Sequence, residues 1–306
     1  MAEHEHTHVH IEKKPITVGG IIVTAILVII CILWTLPTLG TFISSFRTPD
    51  AINSSGWWKA FSTMDKWTLD NYDQVLFGLK YRGSSMRGEN MIGPFLTSIT
   101  VTLPAVIIPI FIAAAAAYGF AWLDFKGRGI LLAVVIGLLV VPLQMSLVPV
   151  LRDYTKVGLN GTYLGIWLAH AGFGLPLATY MLYNYISQLP RSILESAFID
   201  GASHYTTFTR LILPLSIPAI ASFTIFQFIW VWNDMLVSLV FLSGASKGTQ
   251  ILEVITTRLN SLVGSRGTDW HFLTSGAFIS LVLPLIVFLA LQKYFVKGLL
   301  AGSVKG

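Results

Sequence analysis

LPRSILESAFIDGASHYTTFTRLILPLSIP, residues 189–218, is a polar stretch between two long apolar runs. Pro190 suits the first turn of a helix, where its missing N–H costs nothing, and residues 191–200 hold good helix formers without a breaker. Gly201 stops that helix as a C-terminal cap glycine does. Ser203 can accept hydrogen bonds from the first turn of a second helical run, which extends to Leu213 and ends at Pro214. The stretch therefore reads as helix, glycine hinge, helix. Ile193, Ala197 and Gly201 share one face of the first helix, with Leu194 and Phe198 on the next, so a small-residue face is open to close approach by another protein.

Around this stretch the chain is 54% hydrophobic and 11% charged, with a mean hydropathy of +0.70. A soluble globule carries about 25% charged residues, so this is an integral membrane protein. Six intervals lack Asp, Glu, Lys and Arg: 15–46, 90–123, 129–151, 157–190, 211–233 and 270–292. Each exceeds the roughly 20 residues that cross a bilayer as helix. The expectation is an all-α protein with six transmembrane helices, near 18–39, 92–122, 130–150, 163–185, 217–242 and 272–291. The first run is too long for a cleaved signal peptide. Scattered basic residues without aromatic interleaving exclude a nucleic-acid surface. Cys31 is the only cysteine, so no disulfide framework exists.

The spans carry polar groups that need a reason. Gln144 lies between Pro142 and Pro149 in the third. The fourth holds His170 with Gly172, Gly174 and Pro176, and reads as a broken helix facing protein or a water-filled cavity. There His170 either lines a pathway or bonds a neighbouring helix. The fifth ends in Gln227, Trp230, Trp232, Asn233 and Asp234. Asp234 belongs toward the bundle or near the outer end, as a lining group or in a structural ion pair. Gln144, His170, Gln227, Trp230, Asn233 and Asp234 are the pathway-lining candidates. Tryptophan faces and amides suit sugars, while interface anchoring is the competing role for the tryptophans. The second expected span has five consecutive alanines, 113–117, that let helices approach closely. Four histidines in MAEHEHTHVH read as a polar leader and not a metal site, since nothing closes the coordination sphere.

The chain has no G-x-x-x-x-G-K-[ST] phosphate cradle, no G-x-S-x-G elbow, no H-E-x-x-H pair and no CxxC. It reads as neither an ATPase nor any other enzyme, with no cofactor or metal of its own. Energy must come from a partner or from an ion gradient. His170 and Asp234 would be the proton relay of an ion-coupled secondary transporter, the reading from another class.

The spacing Glu195-Ser196-Ala197, three residues, Gly201, nine residues, Leu211-x-Leu213-Pro214 resembles the EAA motif, E-A-A-x3-G-x9-I-x-L-P, of permease subunits of ATP-binding-cassette (ABC) importers. Ser196 and Leu211 stand where the pattern has Ala and Ile. Three further segments resemble maltose-type sugar permeases: WTLDNY at 67–72, FxWxWND at 228–234, and the tail QKYFVKGLLAGSVKG at 292–306, which is similar to that of the second permease subunit. GLNGTYLGIWLAHAGFGLPLATYMLYNYI, 158–186, looks nearest to alpha-glucoside permeases.

The resemblance covers 44–306 and implies a type I ABC importer permease fold that forms half of a translocation pathway. It implies a cytoplasmic leader at 1–15, a transmembrane domain at 16–306, an extracytoplasmic loop at 47–91 with short helices, a cytoplasmic coupling loop at 186–214 and a cytoplasmic tail at 292–306. Glu195, Ser196, Ala197, Asp200, Gly201, Ala202, Leu211, Leu213 and Pro214 would carry the contact with a cytoplasmic ATPase, helped by Gly298, Gly302 and Lys305. The implied partners are a second homologous permease, an ATP-binding subunit dimer holding ATP and Mg, an extracytoplasmic sugar-binding protein, the sugar substrate and membrane lipid. Both termini would be cytoplasmic in the inner cell membrane. Lys and Arg count 9 inside and 11 outside in that orientation, and most outer ones lie in long loops that translocate regardless of charge. Orientation therefore rests on the resemblance.

Overall fold

The computed structural model describes residues 17–62, 67–79, 90–242, 246–247, 250–266 and 269–303. The His-rich leader and Lys305 lie outside them. Apart from a two-residue antiparallel pair, β1 (Ser246–Lys247) with β2 (Gln250–Ile251), and an isolated bridge between Arg47 and Trp67, the described secondary structure is helical.

Helix α1 (Val18–Ser45) starts at Thr17, whose hydroxyl accepts the Gly20 N–H at 3.2 Å. Residues 18–39 are exposed throughout, an uncharged and mainly apolar rod that suits a cover of lipid or another protein. Its far end packs on a small cap built from α2 (Pro49–Ser54), a 3-10 turn (Trp57–Ser62) and α3 (Asp70–Phe77). Gly40 admits the Trp57 ring, since a Cβ there would lie 2.7 Å from the indole nitrogen. Arg47 is buried and donates to Ala51 O at 2.8 Å and Ser55 O at 2.9 Å, and burial lowers its pKa. Asn71 donates to Ser45 O at 2.9 Å and Arg47 O at 2.8 Å. The cap is thus closed by backbone oxygens that side chains satisfy.

The bundle follows with α4 (Ile92–Trp122), α5 (Arg128–Gly137) leading into a 3-10 turn (Leu138–Val140), α6 (Leu143–Lys156) and α7 (Tyr163–Ile186). Next come α8 (Arg191–Ile199), α9 (His204–Thr207), a π-turn (Phe208–Ile212), α10 (Leu213–Leu215), α11 (Ile217–Asn233), α12 (Leu236–Phe241), α13 (Ile255–Arg266) and α14 (Trp270–Ser303). Helices α4 and α7 pack along each other, α11 crosses both, and α14 covers α11 and meets the end of α1. Buried Ala113, Ala114 and Ala117 of α4 face Ala178 and Leu182 of α7, which is what the alanine run is for.

Among the described residues, three helices are long and apolar enough to cross a membrane: Val18–Ser45, Ile92–Trp122 and Trp270–Tyr294. Two bent pairs join them if each is one span, Arg128–Val140 with Leu143–Lys156 at 105° and His204–Leu215 with Ile217–Asn233 at 68°. Helix α7, 24 residues or about 36 Å long, has the length but is diluted by Gly, His, Asn and Tyr. These elements fit the six charge-free intervals.

Several expected boundaries are corrected. The third span, 130–150, is not one straight helix. Pro142 lacks the N–H a helix needs there and holds Val141 extended, at φ −72° and ψ 118°. The fourth is not broken, because α7 runs through Pro176. The fifth stops at Asp234, which is extended at φ −72° and ψ 132°, before α12. The second helical run of the polar stretch does not end at Pro214. The wide π-turn precedes the proline, and helical bonding resumes beyond it with Ser216 N–H to Ile212 O at 2.9 Å.

Candidate functional site

The polar loop forms the glycine-hinged pair of helices. Pro190 precedes α8, and Gly201 sits at φ +81°, the left-handed conformation that favours glycine. Gly201 N–H donates to Phe198 O at 3.0 Å and Ala202 N–H to Ala197 O at 2.9 Å, the two bonds of a Schellman cap. Ser203 Oγ accepts the Thr206 N–H at 3.2 Å and starts α9. Leu194 and Ile212 are buried among Ala117, Ile186 and Phe223, seating the loop on the ends of α4, α7 and α11.

Glu195, Ser196, Asp200, Gly201 and Pro214 are exposed, while Ala197, Ala202, Leu211 and Leu213 are half-buried. Beside them stand Ile199, 85% exposed, and Tyr205, 77% exposed, with Ile193 and Phe198 adding to an apolar surface. His204 Nδ1 lies 3.0 Å from the Tyr118 hydroxyl of α4, and the His204 ring is 5.0 Å from that of Phe198. Tyr118 and His204, which tie α4, α8 and α9 together, escaped the sequence reading.

A second polar knot lies at the depth of the bundle. Gln227 is buried, and its Nε2 donates to Ala105 O at 3.1 Å and His170 O at 3.3 Å, tying α11 to α4 and α7. Gly174 makes room for it, since a Cβ there would lie 2.5 Å from both Gln227 terminal atoms. His170 is fully buried, with Nδ1 3.1 Å from Ile166 O and Nε2 3.4 Å from Asp234 Oδ2. The Asp234 carboxylate also accepts the Val237 N–H at 3.3 Å and the Ser238 N–H at 3.1 Å, which caps α12.

Between the α5–α6 bend, α7 and α11 lies a cavity of about 730 Å³. Ser146, Tyr154, Gly172, Phe173 and Trp230 are on its wall. Of the six pathway candidates, Trp230 lines this cavity. His170 stands behind it, edge-on to the indole at 5.4 Å, and Gln227 is buried between helices. Asp234 is largely covered, while Gln144 and Asn233 are exposed elsewhere on the chain. Ser146, Tyr154 and Phe173 carry no sequence signal of their own, because it is the 105° bend before α6 that brings them together and the apolar run does not announce that bend. Among the described residues, no three His, Cys, Asp or Glu side chains come together in a group able to hold a metal.

Residues 95–300 match the family described as the binding-protein-dependent transport system inner membrane component. The chain is 54% identical over 279 residues to the osmoprotective compounds uptake permease protein GgtD of Synechocystis sp., covering 90% of this chain and 89% of that one. It is 56% identical over 250 residues to the alpha-glucoside transport system permease protein AglG of Rhizobium meliloti, covering 80% of this chain and 62% of that relative. In fold it matches, with a TM-score of 0.69 and 18% identity over 91% of this chain and 96% of the other, a chain of a bacterial ABC transporter involved in the import of the acidic polysaccharide alginate. The chain belongs to the family of inner-membrane components of binding-protein-dependent transport systems.

Proposed function

We propose that this chain is one of two permease subunits of an ATP-driven sugar importer and carries an alpha-glucoside. The name of AglG supplies the substrate class. The observation that carries the coupling role is the loop at 186–214. Its Glu195 to Pro214 spacing folds into two short helices around a left-handed glycine and presents an apolar surface with Ile199 and Tyr205 outermost. Such a surface suits a groove on an ATPase subunit, which would hold ATP and Mg. A second homologous permease would complete the pathway and an extracytoplasmic sugar-binding protein would deliver substrate. Both termini and the loop then lie in the cytoplasm, and six spans cross the inner membrane.

Extraction in mild detergent followed by mass spectrometry tests the assembly. Recovery of a Walker-motif ATPase and a second permease is the expected result. Recovery of this chain alone under several mild conditions would overturn it. The His170–Asp234 approach at 3.4 Å is the one observation that favours an ion-coupled transporter. That reading requires uptake to survive ATP depletion and collapse with the proton gradient.

A further inference from the structure

The cavity at the α5–α6 bend joins features that apolar packing does not explain. Its volume of about 730 Å³ falls within the roughly 300–1,000 Å³ of small-molecule sites. Rim residues Leu138 and Leu168 are 51% and 38% exposed, so it can be reached from outside the chain. Trp230, Phe173 and Tyr154 give it aromatic faces. Trp230, Tyr154 and Ser146 are the lining residues that carry N–H or O–H groups, and the other lining side chains are apolar. Gly172 widens it: nothing lies within 4 Å of where its Cβ would be, whereas Gly174 one turn-face away is filled by Gln227. The wall is also held in place. Trp230 leans on His170, which faces the Asp234 carboxylate, while Gln227 fixes the backbone of α7 against α11.

We propose that this cavity is a sugar subsite contributed by this chain itself, in which Trp230 and Phe173 take the apolar faces of a glucosyl unit while Ser146, Tyr154 and the Trp230 N–H bond its hydroxyls. Sugars pair C–H faces with aromatic rings and hydroxyls with sparse polar groups, and a fully polar or fully apolar pocket would not fit both. The inference rests on the sugar-importer reading above and adds that this subunit touches the substrate.

The test uses the complete importer with its binding protein in proteoliposomes, with radiolabelled maltose, trehalose and sucrose as α-glucoside probes. ATP-dependent import of none of them by the wild-type protein would overturn the alpha-glucoside reading and this subsite with it. Given wild-type import, Gly172→Leu should lower it at least tenfold while ATP hydrolysis stimulated by the binding protein persists. Gly119→Leu, at another glycine with open space around its Cβ position, should import normally. In a Cys31→Ser background, the transported sugar should slow maleimide labelling of a Ser146→Cys thiol at least threefold. Wild-type import by Gly172→Leu, or labelling that sugar leaves unchanged while import proceeds, overturns the subsite alone. Slowing by an alkyl detergent and not by sugar would assign the cavity to an acyl chain and also overturn it.

Discussion

Gly201 offers a graded test of the coupling loop. Its φ of +81° costs an L-residue roughly 1–2 kcal/mol, with Asn tolerating that region better than Ala. Nothing lies within 4 Å of the Cβ position, so the penalty is conformational and not steric. A cost of that size reduces the population of the hinged geometry about 5- to 30-fold. Gly201→Asp adds a negative charge beside Asp200 at the C-terminal end of α8, where the helix dipole already disfavours it by about 0.3–1 kcal/mol. The expected order of transport per ATP hydrolysed is therefore Gly, Asn, Ala, Asp. Hydrogen exchange at the Gly201 and Ala202 amides, the two donors of the Schellman cap, should accelerate in the same order. If Ala equals Gly in both measurements while Asp fails, charge governs the loop and the backbone argument is refuted. If Asn falls below Ala, the left-handed geometry is not what the position requires.

Gly172 and Gly174 should respond in opposite directions to alanine. Gly174→Ala must displace the buried Gln227 amide and break its bonds to Ala105 O and His170 O, destabilising the protein by about 1–3 kcal/mol, whereas Gly172→Ala should be neutral or gain up to about 1 kcal/mol of helix propensity. Thermal melts of the purified protein compare them, and a Gly174→Ala/Gln227→Ala double variant should recover part of the loss. Asp234→Ala removes the cap of α12 at a cost of about 1–2 kcal/mol, which Asn should largely restore, read as exchange at the Val237 and Ser238 amides. Tyr118→Phe deletes the hydroxyl facing His204. It should lower transport per ATP hydrolysed while the complex still assembles, and loss of assembly would mark the contact as structural.

The polar loop was legible because Pro190, Gly201 and Ser203 act on their own backbone, so their effect does not depend on distant packing. The bends were not. Pro142 breaks its helix, yet Pro109 and Pro176 lie buried inside unbroken α4 and α7, where neighbouring helices surround the loosened turn. A proline in an apolar run is therefore ambiguous until its neighbours are known. Azimuth was hidden for a related reason: a helix apolar all round shows no preferred face. Trp230 and Trp232 look alike in sequence and lie on nearly opposite faces of α11. Trp230 lines the cavity, whereas Trp232 is buried and donates to Ser280 O of α14 at 2.9 Å.

The two parts of the candidate site are joined by the shortest route the fold provides. Helix α7 carries Gly172 and Phe173 at the cavity and runs without a break to Ile186, about 21 Å away at 1.5 Å per residue, where the loop begins. Helix α11 carries Trp230 and starts at Ile217, directly after the π-turn, α10 and the bend at Ser216. Both walls of the cavity are thus levers whose other ends are held by the loop through Leu194 and Ile212. Gln227, Gly174 and the His170 carbonyl clamp the levers where they cross, so bending there would leave buried polar groups unpaired. If α8 moves with a bound ATPase as proposed, the displacement would pass to the cavity as a rotation about the clamp. On this geometry, softening the clamp should reduce transport per ATP even where the loop and the cavity are both intact.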